Sequence, residues 1–307
     1  MQKNRLQNAT VVITGASSGF GRGTALRLAE MGANVVLAAR RQAELEALAA
    51  DIVTAGGNAL AVVTDVSDPE QMAALTDAAI RRFGHIDIWI NNVGVGALGF
   101  FWQIPVADHA RLIDVNLKGL IYGAHEALNH FISQGFGVLI NVGSVDSEVP
   151  LAYQSSYAAS KAAVRSLSRS LNEELRLNHL ADKIKVSTIM PWAVDTPWWT
   201  HAANYTGHAP RMAAMDDPKI VIEAIVDACL NPQEEIPVGW KAHASNISHH
   251  LFPDTTEAMS ANVVRRSVEK AQTLPPGPGA IYEPMKGTAT IDGGIRARMK
   301  QEDKRKK

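Results

Sequence analysis

The feature that most constrains this chain is the alternation, between residues 10 and 190, of short uninterrupted apolar runs with longer amphipathic stretches. The runs are Thr10–Thr14, Asn34–Ala39, Ala59–Thr64, Ile86–Asn91, Gly137–Val142 and Lys185–Met190. Most are near-continuous Val, Ile and Leu without polar alternation, a pattern that suits strands covered on both faces in a parallel sheet. Between them, segments such as Gln42–Ala55 and Pro69–Phe83 carry apolar residues at helical spacing. This rhythm predicts an α/β fold, a doubly wound parallel sheet with right-handed crossovers and helices on both faces.

After Met190 the pattern loosens. Pro191–Arg211 sets Trp192, Trp198 and Trp199 among Pro, Asn, Gly and His, and reads as a lid or loop. Asp217–Leu230 reads as a helix, Glu235–Val238 as a last strand, and Asn246–Gln272 as a further helix. Thr273–Pro284 is too rich in Pro and Gly for regular structure. The expected organisation is one domain over residues 6–240, an extension over 241–295 serving as lid or subunit contact, and a charged, disordered tail over 296–307.

Charge excludes some functions. Thirty basic against 31 acidic residues leave a formal charge of −1, which gives no general attraction to nucleic acid or an anionic membrane. No apolar run approaches the roughly 18–20 residues that span a bilayer. Met1–Thr10 lacks the apolar centre of a secretory signal, so a soluble cytoplasmic protein is expected. Cys229, alone of its kind, reads as a buried structural thiol. The spacings of His201, His208, His243, His249 and His250 match no standard metal site, so surface or loop positions and no metal are expected.

The first apolar run leads into Thr14-Gly15-Ala16-Ser17-Ser18-Gly19-Phe20-Gly21, with a helix beginning near Arg22. Glycines permit a tight turn and close approach of a pyrophosphate, and free N–H groups at a helix start favour its charge. The spacing is Gly-x3-Gly-x-Gly at the first strand–helix junction. The second run ends in Ala39, where an acidic residue would accept from the ribose of NAD, and is followed by Arg40 and Arg41. A guanidinium pair suits a 2′-phosphate and points to NADP(H); a solvated cap on the next helix is the competing reading. Asp65, followed by Val66, is placed either to accept from an adenine amino group or to cap a helix.

Tyr157-Ala158-Ala159-Ser160-Lys161 opens a helical segment and sets Tyr157 and Lys161 one turn apart on one face. A free phenol, with a pKa of about 10, is a poor acid–base catalyst at neutral pH, and a nearby ammonium favours its ionised form. Ser144 precedes Tyr157 by twelve intervening residues and can offer a hydroxyl to a substrate oxygen.

These motifs in this order resemble the short-chain dehydrogenase/reductase family of the single-domain type, with its Rossmann-type sheet. The likeness covers about residues 6–200 and rests on the Thr14–Gly21 turn, Asp65, Asn91-Asn92-Val93-Gly94, Asn116, Ser144, Tyr157 with Lys161, and Pro191 with Thr196. It implies that Tyr157 is the general acid or base at a carbonyl or alcohol oxygen. Lys161 would lower the Tyr157 pKa and hold the nicotinamide ribose, Ser144 would polarise the substrate oxygen, and Asn116 would hold a water of a proton relay. Asn91 and Asn92 would support the fourth strand and the cofactor ribose, with Val194 and Thr196 at the carboxamide. A homodimer or homotetramer is implied as well. Val93 and Trp192 depart from the family's usual alanine and glycine, and Trp192 is bulky enough to narrow the pocket.

Val95, Leu98, Phe101, Trp102, Val145, Tyr153, Trp192, Trp198 and Trp199 flank the motifs at the expected carboxyl edge of the sheet. They suggest an apolar or aromatic ketone or secondary alcohol as substrate, although Phe101 and Trp102 equally suit packing against a helix or subunit. Two other functions remain open: an NAD-dependent sugar epimerase or dehydratase, disfavoured by Arg40 and Arg41, and a non-catalytic NADPH sensor.

Overall fold

Strands β1 (Thr10–Thr14), β2 (Asn34–Ala39), β3 (Asn58–Val63), β4 (Ile88–Asn91), β6 (Gly137–Val142), β7 (Ile184–Pro191) and β9 (Glu235–Val238) form one sheet in the order β3-β2-β1-β4-β6-β7-β9. Every neighbouring pair is parallel. The chain is seen here as a computed structural model that describes residues 6–285, 287 and 289–305. Residues 1–5, part of the N-terminal stretch expected not to be a signal, and the last two residues of the charged tail lie outside them.

The apolar runs are continuous because alternate side chains enter two different cores. Val11 and Ile13 of β1 pack with Leu28 of α1 (Gly19–Glu30), Leu45 of α2 (Gln42–Thr54) and Val221 of α8 (Pro218–Leu230). Between them, Val12 faces Met72 of α3 (Pro69–Phe83), Phe131 of α5 (Gly119–Gln134) and Leu175 of α6 (Ser155–Leu177). Cys229 is buried in the first core, and that burial pushes its thiol up to about 12, so it behaves as a small apolar residue.

Several boundaries differ from expectation. β4 starts at Ile88, two residues late, because the Ile86 N–H goes to His130 Nε2 rather than to a neighbouring strand. The helix expected over 246–272 is two, α9 (Gly239–Leu251) and α10 (Pro253–Lys270). Pro253 has no N–H to continue α9 and so sits at the first turn of α10. A two-residue parallel ladder, β5 (Ala97–Leu98) with β8 (Ala203–Asn204), joins the loops at the carboxyl edge; the short α4 (Val106–Ile113) and α7 (Trp198–His201) lie near it. None of the helices among the described residues is long and apolar enough to cross a membrane.

The tail is a correction. Residues expected to be disordered form α11 (Ile295–Arg305). Ile295 is buried with Trp199 and Val264, and Arg211 reaches Glu302 Oε2 at 2.8 Å and Asp303 Oδ1 at 2.6 Å. A run of charge reads as a solvated end, yet these charges have partners in the body of the fold.

The segment before α11 is irregular, as expected, and runs back along the carboxyl edge of the sheet. Gly277 exchanges backbone hydrogen bonds with Asn204, and Ala280 donates to His201 O at 2.7 Å. Thr290 O accepts from Gly19 N at 2.9 Å. Asp195, 1% exposed, anchors the far end: its carboxylate accepts from Ile295 N at 2.8 Å and from Arg296 N at 3.0 Å, the first two N–H groups of α11. Asp195→Ala leaves those groups unmet and is expected to destabilise the protein by about 1–3 kcal/mol. Thermal unfolding with limited proteolysis checks this: the midpoint falls, and cleavage begins in residues 271–295. Unchanged protection of that segment would show that the anchor lies elsewhere.

Candidate active site

Strand order reverses between β1 and β4, so the loops leaving these strands diverge and open a long cleft at their carboxyl ends. Gly15, Ser17, Ser18, Gly19 and Phe20 line it from the first turn. Gly15 has φ +70°, and a Cβ on Gly21 would lie 2.3 Å from Gly15 O, so the turn closes only with hydrogen there. Gly21 thus shapes the turn from behind rather than lining the cleft. Asn92 ties the turn to β4 through Nδ2, which donates to Thr14 O at 3.0 Å. The expectation of free N–H groups needs one amendment, since the Gly19 N–H is taken by Thr290 O.

At the end of β2, Arg40 and Arg41 both line the cleft, and they are held differently. Arg40 donates to the carbonyls of Tyr282 and, at 2.7 Å, Ala280. Arg41 donates through Nε and Nη2 to Ser17 Oγ at 3.1 and 2.9 Å, which places its guanidinium against the glycine turn. Asp65 and Val66 line the same end. Burial acts to raise the Asp65 pKa, but hydrogen bonds from Ser67 and Arg111 hold it below the usual carboxylate value. His201, expected at the surface or in a loop, also lines this region. Burial, then the charges of Arg41 and Arg40, press its pKa down to about 4, so it is neutral at physiological pH.

At the other end, α6 presents Tyr157 and Lys161 to the cleft, and Ser144 follows β6. The Lys161 ammonium donates to Val142 O at 2.8 Å and lies 5.7 Å from the Tyr157 ring centre. Ser144 caps a single turn, Val145–Ser147, and its Oγ accepts from Asp146 N at 3.1 Å. Burial pulls the Lys161 pKa down, with Asp146 working against it. Burial, then the negative charge of Asp146, holds the Tyr157 phenol above its ordinary value, and Ser144 opposes them. Lys161, expected to lower Tyr157, is not among the influences acting on it here.

Pro191, Trp192, Val194 and Thr196 line the middle of the cleft with Asn92 and Gly94. Gly94 faces Lys161 Nζ, 3.5 Å from where its Cβ would be. Asn116 lies behind that wall in a π-helical turn, Asp114–Lys118. Its amide clamps Val95 both ways, accepting from Val95 N at 2.8 Å and donating to Val95 O at 2.9 Å. Asn91 is a correction, because it faces away from the cleft and holds Trp89 Nε1, Leu120 O and Asn141 Oδ1 together.

Val95, Val145, Trp192, Trp198 and Trp199 form the apolar wall, and the Trp198 ring centre is 5.1 Å from that of Tyr157. Leu98 and Tyr153 are corrections: the β5–β8 ladder turns Leu98 into a buried cluster, and Tyr153 packs at a tilt against Phe100, ring centres 4.6 Å apart. Phe101 and Trp102 are exposed and do not reach the cleft either. Sequence reasoning missed Asp146, Gln154, Leu151, Met212, Ala280, Pro284 and Met285, all of which line it. Position alone could have flagged Asp146, two residues beyond Ser144.

Comparison with known proteins agrees with this geometry. The family model for short chain dehydrogenase matches residues 9–205. An uncharacterized oxidoreductase of Bacillus subtilis, YxnA, is 32% identical over 97% of this chain and 85% of its own length. The 3beta-hydroxysteroid dehydrogenase 1 of Eggerthella lenta is 41% identical over 62% of this chain and 73% of its own. A Burkholderia phymatum short chain dehydrogenase/reductase solved with NAD superposes with a TM-score of 0.73 at 27% identity, over 82% of this chain and 96% of that one. An alcohol dehydrogenase of Thermococcus sibiricus solved with 5-hydroxy-NADP gives 0.64 at 26% identity, over 75% and 95%. With motifs, sheet order and cleft in agreement, the chain belongs to the short-chain dehydrogenase family of oxidoreductases, which use a nicotinamide cofactor.

Proposed function

We propose that the protein is an NADP(H)-dependent oxidoreductase interconverting a carbonyl compound and a secondary alcohol with an apolar or aromatic skeleton. The observation that carries this reading is a single cleft joining Arg41 and the glycine turn at one end to Ser144, Tyr157 and Lys161 at the other. A named relative and a solved neighbour are dehydrogenases of a hydroxysteroid and an alcohol, which supports the reaction class.

The residues present fit a dinucleotide. Gly15, Ser17, Ser18 and Gly19 line the cleft where a pyrophosphate would lie, and Asp65 and Val66 border the adenine end. Arg41, braced on Ser17 with its Nη1 3.4 Å from Met285 O, is the group we assign to the 2′-phosphate; Arg40 is held more closely, by the carbonyls of residues 280 and 282. Asn92, Gly94, Pro191, Val194 and Thr196 would border the nicotinamide half. The cofactor, when bound, supplies or accepts the hydride.

In the reducing direction the substrate oxygen lies between Ser144 and Tyr157. The carbonyl carbon takes the hydride while that oxygen takes the Tyr157 proton, giving the alcohol and a phenolate. Lys161, fixed by Val142 O, stabilises the phenolate until solvent returns a proton. Trp198 and Trp192 exclude water from the substrate side.

Two substitutions test the reading. Tyr157→Phe is expected to lower kcat by about a hundredfold or more with cofactor affinity nearly unchanged, measured by NADPH oxidation and fluorescence titration. A cellular role that survives this change would favour a sensor. Arg41→Ala is expected to weaken NADPH binding by about tenfold or more while leaving NADH binding within a few-fold. Equal losses, or tighter NADH binding by the parent protein, would reassign the cofactor to NAD.

A further inference from the structure

Asp146 is a charged residue of the cleft that the proposed chemistry does not use. It lines the cleft between Ser144 and the apolar wall and is 4% exposed. Its backbone N–H donates to Ser144 Oγ, so the two residues are fixed to one another in one turn. Among the described residues its carboxylate has no hydrogen bond and no ion pair, although its charge reaches both Tyr157 and Lys161. A buried carboxylate without a donor opposes folding, and burying an apolar side chain there would not.

We propose, on the basis of the function assigned above, that Asp146 is a specificity-determining residue whose carboxyl group binds a hydroxyl on the carbon next to the reacting one. The preferred substrates are then α-hydroxy ketones, or vicinal diols in the oxidising direction, with an apolar or aromatic remainder.

Three considerations lead to that class. The reacting oxygen is placed by Ser144 and Tyr157, and Asp146 is locked to Ser144, so its partner must lie close to the reacting carbon. Val95, Val145, Leu151 and Met212 offer no hydrogen bond and suit a hydrocarbon skeleton, and the polar groups beside them are the indoles of Trp192 and Trp198 and the amide of Gln154. A hydroxyl is favoured over an ammonium because burial brings the carboxyl up to about 7, near the neutral–ionised boundary. A hydroxyl both donates and accepts, so it pairs with either form, whereas an ammonium needs the anion.

The test compares the parent protein with Asp146→Leu and Asp146→Asn on a matched pair, acetophenone and 2-hydroxyacetophenone, with NADPH and with NADH. The readout is the ratio of kcat/KM for the hydroxylated ketone to that for the plain one. The parent should favour the hydroxylated ketone, and Asp146→Leu should lower the ratio by about ten- to a hundredfold. Asp146→Asn keeps the shape and one acceptor, so it should fall between them, and it serves alone if the leucine variant does not fold. A general structural defect lowers both rates and leaves the ratio in place. A ratio unchanged in the variants, or a parent without preference, overturns the role of Asp146 while leaving the oxidoreductase standing. A parent that binds neither cofactor and reduces neither ketone overturns both.

Discussion

The reversal of strand order between β1 and β4 is the constraint on which the rest of the molecule depends. In a parallel sheet all strands end at the same edge, and right-handed crossovers carry the chain away to one side or the other. On one side of the reversal the chain winds from β1 through β2 to β3, and on the other through β4, β6 and β7. Loops leaving β1 and β4 therefore part, and the cleft between them is a consequence of topology rather than of any single side chain. The glycine turn and the Asn92 bridge to Thr14 keep that opening at a defined width.

Once the cleft exists, its chemistry is set by low polarity. Tyr157, Lys161 and Asp146 are three ionisable groups within reach of one another, and burial works against the charge of each. A negative Asp146 favours the ammonium of Lys161 and opposes ionisation of Tyr157. As the structure stands, Tyr157 keeps its proton, the state required to protonate the oxygen of a carbonyl. The hydrogen bond from Lys161 to Val142 O fixes the cation to the end of β6 and ties α6 to the sheet.

How far the sequence foretold this follows from the range of the forces involved. Strands and most helices were legible because burial on two faces writes itself into consecutive residues, as in Val11-Val12-Ile13. The Ser144, Tyr157 and Lys161 set was legible because its members sit at short, fixed spacings on one turn and one helix. Asn91 was misplaced by proximity: it neighbours Asn92 along the chain, but alternation along β4 turns it to the opposite face. Leu98 failed for a related reason, since a ladder between residues 97–98 and 203–204 cannot be seen from either segment alone, and Tyr153 packs on Phe100 from a distant part of the chain. The ordered tail was hidden because its charges are satisfied by Arg211, some 90 residues away.

That same long range ties the C-terminal extension to the end of the cleft that carries the glycine turn. Gly277 touches Asn204, Ala280 touches His201, Ala280 and Tyr282 hold Arg40, and Thr290 holds the Gly19 amide. Tyr282 donates to Asp108 Oδ1 at 3.0 Å and Arg111 to Ile281 O at 3.4 Å, which binds this stretch to α4 and to the neighbourhood of Asp65. Because Asp195 grips the start of α11, the path has fixed points on both sides of the glycine turn. Arg40 and the Gly19 amide, both at the cleft, are thus held by residues at least 240 positions later in the chain.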